Sequence, residues 1–255
     1  MENPGSALPA TGERTVPGLA LEEYWFARHE AAYRWIAGRV RGLRLVVDAG
    51  AGEGYGAAML GPALALEYDG DVCRHIRTRY PHLAVVRANL ASMPLRTQSV
   101  DAIACCQVVE HLWDLAGFLG DCRRALRPGG ELIVTTPQRI TFSPGLGRRE
   151  KPVNPFHVEE FDGEQLHDLL VAAGFDDVDM RGIHHGSRIA GWEASRGSLV
   201  AAQVEAATAG TWPDDVRSFV ATVTAEDFDV DQAAMAPDSH RIANAQDLLA
   251  IATAA

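Results

Sequence analysis

The chain has 255 residues, 47% of them hydrophobic and 22% charged, and its 34 acidic against 23 basic residues give a formal net charge of −11. This composition is that of one ordinary soluble domain, and the acidic balance argues against a nucleic acid or an anionic membrane as partner. No apolar run reaches about 18 residues, so no membrane-spanning helix is predicted. The segment MENPGSALPATGER lacks the basic and apolar regions of a secretory signal, so we expect none.

The cysteines predict a reducing compartment. None of the four belongs to a CxxC pair, and two of them are adjacent in an apolar run. This pattern is typical of buried free thiols and not of a disulfide framework or a zinc site. We therefore expect a cytoplasmic protein.

Apolar segments alternate between strand-like and helix-like patterns along the chain. The spacing over 21–40 predicts one or two amphipathic helices, and Gly174 is expected to end a later helix over 165–175. Strands that alternate with helices imply right-handed crossovers and a largely parallel sheet. The predicted strands are 43–50, 63–69, 82–90, 100–109, 131–137, 177–186 and 247–255, with RPGG predicted as a turn before the fifth.

The predicted fold is α/β: a Rossmann-like, doubly wound, mostly parallel seven-stranded sheet whose last strand is antiparallel. Residues 1–40 are expected to form a helical lid segment, and 41–255 the main domain. An Ala-rich, acidic segment over 187–244 has helical patterning and precedes the last strand. Two roles are open for this insert: it caps the substrate site, or it builds a homodimer contact.

The segment VVDAGAGEGYG (46–56) predicts a cofactor site. Gly50, Gly52 and Gly54 let the backbone pass close to a ligand at a helix N-terminus. A nicotinamide-type fingerprint needs GxGxxG, and here the third glycine comes one residue early. Asp48 adds a carboxylate at the strand tip, which suits a ligand carrying an ammonium group better than a pyrophosphate.

Two later strand ends complete this cofactor site. Glu67 ends the second predicted strand, where an acid can accept hydrogen bonds from both ribose hydroxyls. At the end of the third, the Asn89 amide can bond an adenine edge and the Leu90 backbone N–H can add a contact. With the glycine motif, these residues resemble the class I S-adenosylmethionine (SAM) dependent methyltransferases over about residues 40–180. The resemblance implies a methyltransferase that uses SAM.

A third set of polar residues follows the fourth and fifth strands. The pattern Gln107-x-x-Glu110-His111, with the distant His157, resembles the ExxEH…H arrangement of ubiquinone-pathway O-methyltransferases and small-RNA 2′-O-methyltransferases. In those families the four side chains hold a divalent cation. The resemblance implies metal ligation by all four residues here, with Mg²⁺ expected and Mn²⁺ or Zn²⁺ compatible. Gln107 stands where the families have glutamate, and it is also expected to contact the cofactor.

A second interpretation of the same residues needs no metal. Glu110 would then cap or pack at the helix start, and His157 would order its loop. A single general base would act, with His111 the first choice and His157 the second. Both interpretations place Glu110, His111 and His157 in the catalytic region. The sequence leaves the choice open.

The acceptor is suggested only by a narrower resemblance. Four segments are similar to actinobacterial methyltransferases associated with methylglucose and methylmannose polysaccharides, which implies a hydroxyl of a gluco- or manno-oligosaccharide as acceptor. Two alternatives remain: a small quinone, catechol or polyketide acceptor, and a silent module that binds SAM without transferring the methyl group. The segments are 11–35, GEGYGA, QVVEHLWD and RITFSPG…NPFH.

Overall fold

A computed structural model of the chain describes residues 14–255, and eight strands form one sheet within them. The strands are β1 (Val46–Ala49), β2 (Ala63–Glu67), β3 (Ala84–Arg87), β4 (Val100–Cys106), β5 (Leu126–Pro137), β6 (Phe175–His185), β7 (Phe228–Val230) and β8 (Asp247–Ala254). The helices are α1 (Glu23–Arg39), α2 (Tyr55–Leu60), α3 (Gly70–Arg79), α4 (Leu115–Ala125), α5 (Arg139–Phe142), α6 (Gly163–Ala172), α7 (Ser187–Arg196), α8 (Leu199–Ala209), α9 (Asp214–Val220) and α10 (His240–Ala243).

The sheet is mostly parallel, as predicted. Its strand order is β3-β2-β1-β4-β5-β8-β6-β7, and β1 pairs in parallel with both β2 and β4. The last strand, β8, is antiparallel to β5 and to β6, which confirms its predicted pairing with the strand near 177–186. Adjacent residues on β1 face opposite sides of the sheet: Val46 joins the core under α1, α2 and α3, and Val47 the core under α4 and α6. The sheet is therefore doubly wound.

The predicted strand count of seven was wrong, because the insert contributes an eighth strand. β7 pairs antiparallel with Ile183, His184 and His185 at the edge of β6. Asp231 extends this contact, since its backbone N–H donates to the Gly182 carbonyl at 3.0 Å and its carboxylate accepts from the Gly182 N–H at 2.9 Å. A three-residue strand carries no alternating pattern of its own, so the sheet edge is what makes it extended. The rest of the insert is mainly helical, as predicted, from α7 to α10.

Glycines mark two irregular positions in the fold. The predicted RPGG turn lies inside β5, where Gly129 has φ +75° and the pairing with β4 jumps from Val100–Leu126 to Ala102–Glu131. The segment is therefore an irregularity within a long strand. Gly174 follows α6 with φ +85°, the left-handed conformation expected at a helix end.

Helix α1 confirms the amphipathic helix predicted over 21–40, and it packs against the sheet. Tyr24, Ala27, Ala31 and Ile36 form its buried face. Arg28 lies on the same face and is also buried. Because a buried guanidinium needs a partner, this residue signals a polar site beneath the helix.

All four cysteines are buried free thiols, as predicted: Cys73, Cys105, Cys106 and Cys122. Burial raises the pKa of the last three well above that of a free thiol. No helix in the described part of the chain is long and apolar enough to cross a membrane.

Two helical glycines provide a matched test of the packing of α1 against α2. A Cβ on Gly56 would lie 2.1 Å from Cζ of the Tyr33 ring, whereas a Cβ on Gly120 of α4 would meet no atom within 4 Å. Gly56→Ala should lower the free energy of unfolding by about 1–3 kcal/mol through overpacking. Gly120→Ala should raise it by up to about 1 kcal/mol through helix propensity. Urea unfolding measures both, and equal effects would contradict the described contact between α1 and α2.

Candidate active site

The glycine-rich turn after β1 is held open by its backbone conformation. Gly50 and Gly54 have φ +84°, and a Cβ on Gly50 would lie 2.6 Å from a methyl group of Val108. The Gly50 and Ala51 N–H groups both donate to the Leu66 carbonyl at 3.0 Å. A Cβ built on Gly52 meets nothing within 4 Å, so a ligand can approach the backbone there.

Asp48 lies fully buried behind this turn. The Tyr33 hydroxyl donates to its Oδ1 at 3.0 Å. Burial raises the pKa of Asp48 to about 7, and the hydrogen bonds from Tyr33 and the Ala57 backbone offset this only in part. The carboxyl group therefore titrates near neutrality, and a cation placed beside it would favour its charged form.

Glu67 and Asn89 lie at the ends of neighbouring parallel strands, as their places in the sequence predict. Glu67 accepts from the Gly52 N–H at 3.0 Å with one oxygen and from the Asp69 N–H at 2.9 Å with the other. The exposed Asn89 accepts from the Ala91 N–H at 3.0 Å. Leu90 beside it is buried. The acid thus joins the glycine turn to the rim of β2, and a carboxylate oxygen can accept further hydrogen bonds.

Glu110, His111 and His157 come together beyond β4. Each offers one ligand atom, and these atoms lie within 4.8 Å of one another. The two imidazole rings meet edge to face with centroids 4.9 Å apart. The Val158 N–H donates to the Glu110 carbonyl at 2.7 Å and so joins the two loops that carry the cluster. Glu110 and His157 are 47 positions apart in the sequence, and together with His111 they form one site.

Acceptors at Nδ1 orient both imidazoles. Nδ1 of His111 lies 3.1 Å from the Phe156 carbonyl, and Nδ1 of His157 lies 2.6 Å from Glu160 Oε1. In the neutral form, each Nδ1 carries the proton and each Nε2 carries the lone pair. The Asn154 amide donates to Nε2 of His157 at 2.9 Å. A histidine that binds a metal ion through Nε2 usually has its Nδ1–H hydrogen-bonded in this way, and at His157 the ion would replace the Asn154 hydrogen bond at Nε2.

Two further side chains complete the surroundings of the cluster. The Ser143 hydroxyl donates to Glu160 Oε2 at 2.6 Å and fixes the carboxylate behind His157. The Thr136 hydroxyl donates to Glu110 Oε2 at 3.0 Å. Burial raises the pKa of Glu110, and a cation within the cluster would oppose that shift.

Gln107 does not bond to this cluster in the structure. Its amide N–H₂ donates to Asp247 Oδ1 at 3.1 Å, and its carbonyl oxygen accepts from Arg28 Nη2 at 3.3 Å. Its backbone has φ +55°, and its N–H donates to the Thr135 carbonyl at 2.8 Å. The sequence predicted Gln107 as a fourth ligand, and the geometry assigns its amide to the contact among α1, β4 and β8.

Arg28 is the polar residue that sequence reasoning missed. Its Nε lies 3.2 Å from Asp247 Oδ2, and its guanidinium lies over the rings of Trp25 and Phe142, at 5.1 and 4.8 Å from their centroids. Nη1 is buried and has no hydrogen-bond partner among the described residues. An unsatisfied buried donor of this kind fits a ligand carboxylate. Only its place on the apolar stripe of α1 could have flagged it.

Comparison with known proteins identifies the family. A probable S-adenosylmethionine-dependent methyltransferase of Mycolicibacterium smegmatis is 46% identical over 253 residues, covering 97% of this chain and 95% of that protein. Residues 47–134 match the methyltransferase domain family. The chain belongs to the SAM-dependent methyltransferases. The mitochondrial ubiquinone biosynthesis O-methyltransferase of Homo sapiens is 42% identical over 50 residues, which cover 20% of this chain and 14% of that protein.

A solved structure shows the same fold. The crystal structure of a SAM-dependent methyltransferase from Thermotoga maritima, a possible histamine N-methyltransferase, matches with a TM-score of 0.60 at 18% identity. The match covers 91% of this methyltransferase and 94% of that chain. At this identity the likeness concerns the fold alone. It confirms the α/β methyltransferase fold, and the family supplies SAM as methyl donor.

The role expected for Glu67, acceptor for the ribose hydroxyls, predicts a loss of cofactor affinity on substitution. Glu67→Ala should weaken S-adenosylhomocysteine binding by about 1.5–3 kcal/mol, the cost of losing a charged hydrogen-bond acceptor. Isothermal titration calorimetry measures the change, and urea unfolding checks that the variant is folded. An unchanged dissociation constant in a folded variant would remove Glu67 from the cofactor site.

The raised pKa of Asp48 predicts a pH-dependent stability difference. The unfolded pKa is 3.8 and the folded pKa about 7, so the folded state binds more protons between these values. Asp48 therefore costs stability as pH rises from about 4 to 7, and this cost is complete above the folded pKa. In Asp48→Asn the cost is absent. The unfolding free energy of the wild type minus that of the variant should fall across this range, and a constant difference would contradict the assignment.

Proposed function

We propose that this enzyme transfers the methyl group of SAM to a hydroxyl of a gluco- or manno-oligosaccharide, assisted by a divalent cation. The observation that carries the proposal is the cluster of Glu110, His111 and His157. The two imidazoles and the carboxylate converge within 4.8 Å, and each imidazole is oriented through Nδ1. Three protein ligands leave coordination positions for an acceptor.

The proposed cofactor position uses the residues around the glycine turn. SAM carries a ribose diol, a carboxylate and an ammonium group. Glu67 would accept from the ribose hydroxyls, Asn89 and Leu90 would contact the adenine, and Nη1 of Arg28 would bind the carboxylate. Asp48 would act from behind the turn, where its negative charge favours the ammonium end.

The cluster residues would hold the cation and the acceptor together. When bound, the cation would lower the pKa of an acceptor hydroxyl and fix that oxygen for attack on the methyl group. Glu160 would keep the His157 ring in place through its 2.6 Å contact. Two imidazoles and one carboxylate suit Mn²⁺ or Zn²⁺ at least as well as the Mg²⁺ expected from the sequence. A vicinal diol on a sugar suits such a cation, because both oxygens can bind it.

The choice of a neutral saccharide rests on the narrower resemblance and on charge. The net charge of −11 and the acidic residues around the cluster disfavour an anionic acceptor such as RNA. The similarity to a ubiquinone biosynthesis O-methyltransferase supports oxygen as the methylated atom.

The second candidate function is methylation of a small quinone, catechol or polyketide hydroxyl, with His111 as metal-free general base. The contact of its Nδ1 with the Phe156 carbonyl favours this candidate, because it turns Nε2 into the proton acceptor. In this case a chelator would leave turnover unchanged.

The metal requirement is tested by methyl transfer from labelled SAM to gluco- and manno-oligosaccharides and to a catechol. Each acceptor is assayed with a chelator and after addition of Mg²⁺, Mn²⁺ or Zn²⁺. We expect saccharide turnover that the chelator abolishes and one of the cations restores. Turnover that survives the chelator would overturn the metal, and turnover of the catechol alone would overturn the saccharide.

Two matched variants localise the effect. Glu110→Gln removes a carboxylate from the cluster, and Glu159→Gln removes the same charge from an exposed position nearby. We expect Glu110→Gln to lower kcat about a hundredfold, the upper end of the roughly 10–100-fold losses seen when even a residue that supports a metal ligand is changed, with S-adenosylhomocysteine affinity unchanged. Glu159→Gln should resemble the wild type. Equal losses in both variants would indicate a general charge effect.

A further inference from the structure

Among the described residues, Trp113 is the most exposed large apolar side chain, at 91%. It follows His111 by two residues, so its backbone lies within about 7 Å of that of the candidate ligand. Asp114 comes next and caps α4 by accepting from the Gly117 N–H at 2.9 Å. The cap fixes the backbone of this loop beside the cluster.

The position of Trp113 is one where an apolar residue normally packs. A residue just before a helix cap commonly contacts the fourth helical residue, here Phe118. Phe118 is fully buried in the core under α4, whereas the indole of Trp113 stays almost entirely in solvent. The tryptophan therefore contributes little to the packing of α4, and its large apolar surface faces solvent.

Phe156 presents a second exposed ring on the opposite loop. Its carbonyl accepts from His111 Nδ1 at 3.1 Å, and its N–H donates to the Asn154 side chain at 3.0 Å. The backbone is therefore fixed at the cluster, while the residue remains 48% exposed. Val153 on the same loop is also exposed. Each of the two loops that carry the cluster therefore bears one exposed aromatic residue, Trp113 on one and Phe156 on the other.

We propose that Trp113 and Phe156 form an acceptor platform that binds a pyranose ring adjoining the one to be methylated. The inference rests on the proposed function and names two specificity-determining residues for it. A pyranose offers an apolar C–H face to an aromatic ring and hydroxyls at its edge, and the indole N–H can donate to such a hydroxyl. The platform is open to solvent, which suits a chain that continues beyond the site. An isolated quinone with an apolar tail would instead require an enclosed apolar channel.

The test compares acceptors of different length in Trp113→Ala, Trp113→Phe and a control, Val204→Ala. Val204 is an exposed apolar residue on α8 of the insert. For an oligosaccharide, Trp113→Ala should raise KM about tenfold, equivalent to about 1.4 kcal/mol, with kcat within about twofold. Trp113→Phe should restore part of the affinity. For a monosaccharide glycoside, all variants should match the wild type, and melting temperatures should stay unchanged.

An unchanged oligosaccharide KM in Trp113→Ala would overturn the platform. So would an equal rise in KM for the monosaccharide glycoside, because that result places Trp113 at the reacting ring or in a structural role. If Trp113→Ala lost affinity for a catechol and not for the oligosaccharide, the pyranose assignment would fail.

A binding measurement separates this proposal from the proposed function. The enzyme with bound S-adenosylhomocysteine is titrated with the oligosaccharide while tryptophan fluorescence is recorded. A signal in the wild type that is absent in Trp113→Phe supports the platform, even if no saccharide is methylated and the proposed function fails. Absence of oligosaccharide binding to the wild type overturns the platform.

Discussion

The parallel pairing of β1 with β4 is the constraint on which the site depends. β1 lies between β2 and β4, so the chain winds outward in opposite directions from this pair. Such a point leaves a crevice at the carboxyl ends of the strands, where ligands bind in open α/β sheets. Gly50 and Val108 show how close the two strand ends come, since a single Cβ on the glycine would clash with the valine. The glycine turn and the loop that carries Glu110 are therefore neighbours because they follow paired strands.

A buried ionic contact ties the N-terminal helix to this crevice. Arg28 on α1, Gln107 after β4 and Asp247 at the start of β8 bond to one another in the interior. Burial raises the pKa of Asp247, and the Arg28 charge opposes that shift. Removing either charge would leave the other unpaired, which typically costs about 3–5 kcal/mol. The contact explains why α1 has a fixed place over the sheet, and it leaves one guanidinium nitrogen for a ligand.

Local patterns in the sequence were sufficient for much of the fold and part of the site. Continuous apolar runs bounded by glycine turns predicted most strands of the sheet, because a strand buried on both faces is apolar at successive residues. Glu110 and His111 could be paired with His157 because all three follow strand ends that meet at one edge. Metal binding by these residues and a sugar as the methyl acceptor stay predictions.

Other features depend on partners that are distant in sequence. The Gln107 side chain is oriented by its hydrogen bond to Asp247, which lies 140 residues away in the sequence. The local ExxEH-like pattern carries no information about that partner, and it therefore predicted a metal-ligand role for Gln107. Strand β7 exists because the edge of β6 offers hydrogen bonds, and its three residues carry no strand pattern. The exposure of Trp113 could not be predicted from the sequence, because an apolar residue just before a helix cap normally packs against the first turns of the helix.

We predict that one crevice holds the methyl donor and a cation side by side. Crystals grown with S-adenosylhomocysteine and Mn²⁺, measured for anomalous scattering, test it most directly. We expect a manganese peak about 2.0–2.3 Å from Glu110, His111 and His157, as is usual for such ligands, with the cofactor sulfur facing it from the glycine turn. A cofactor bound at Glu67 with no manganese at the three side chains would contradict the metal-assisted mechanism.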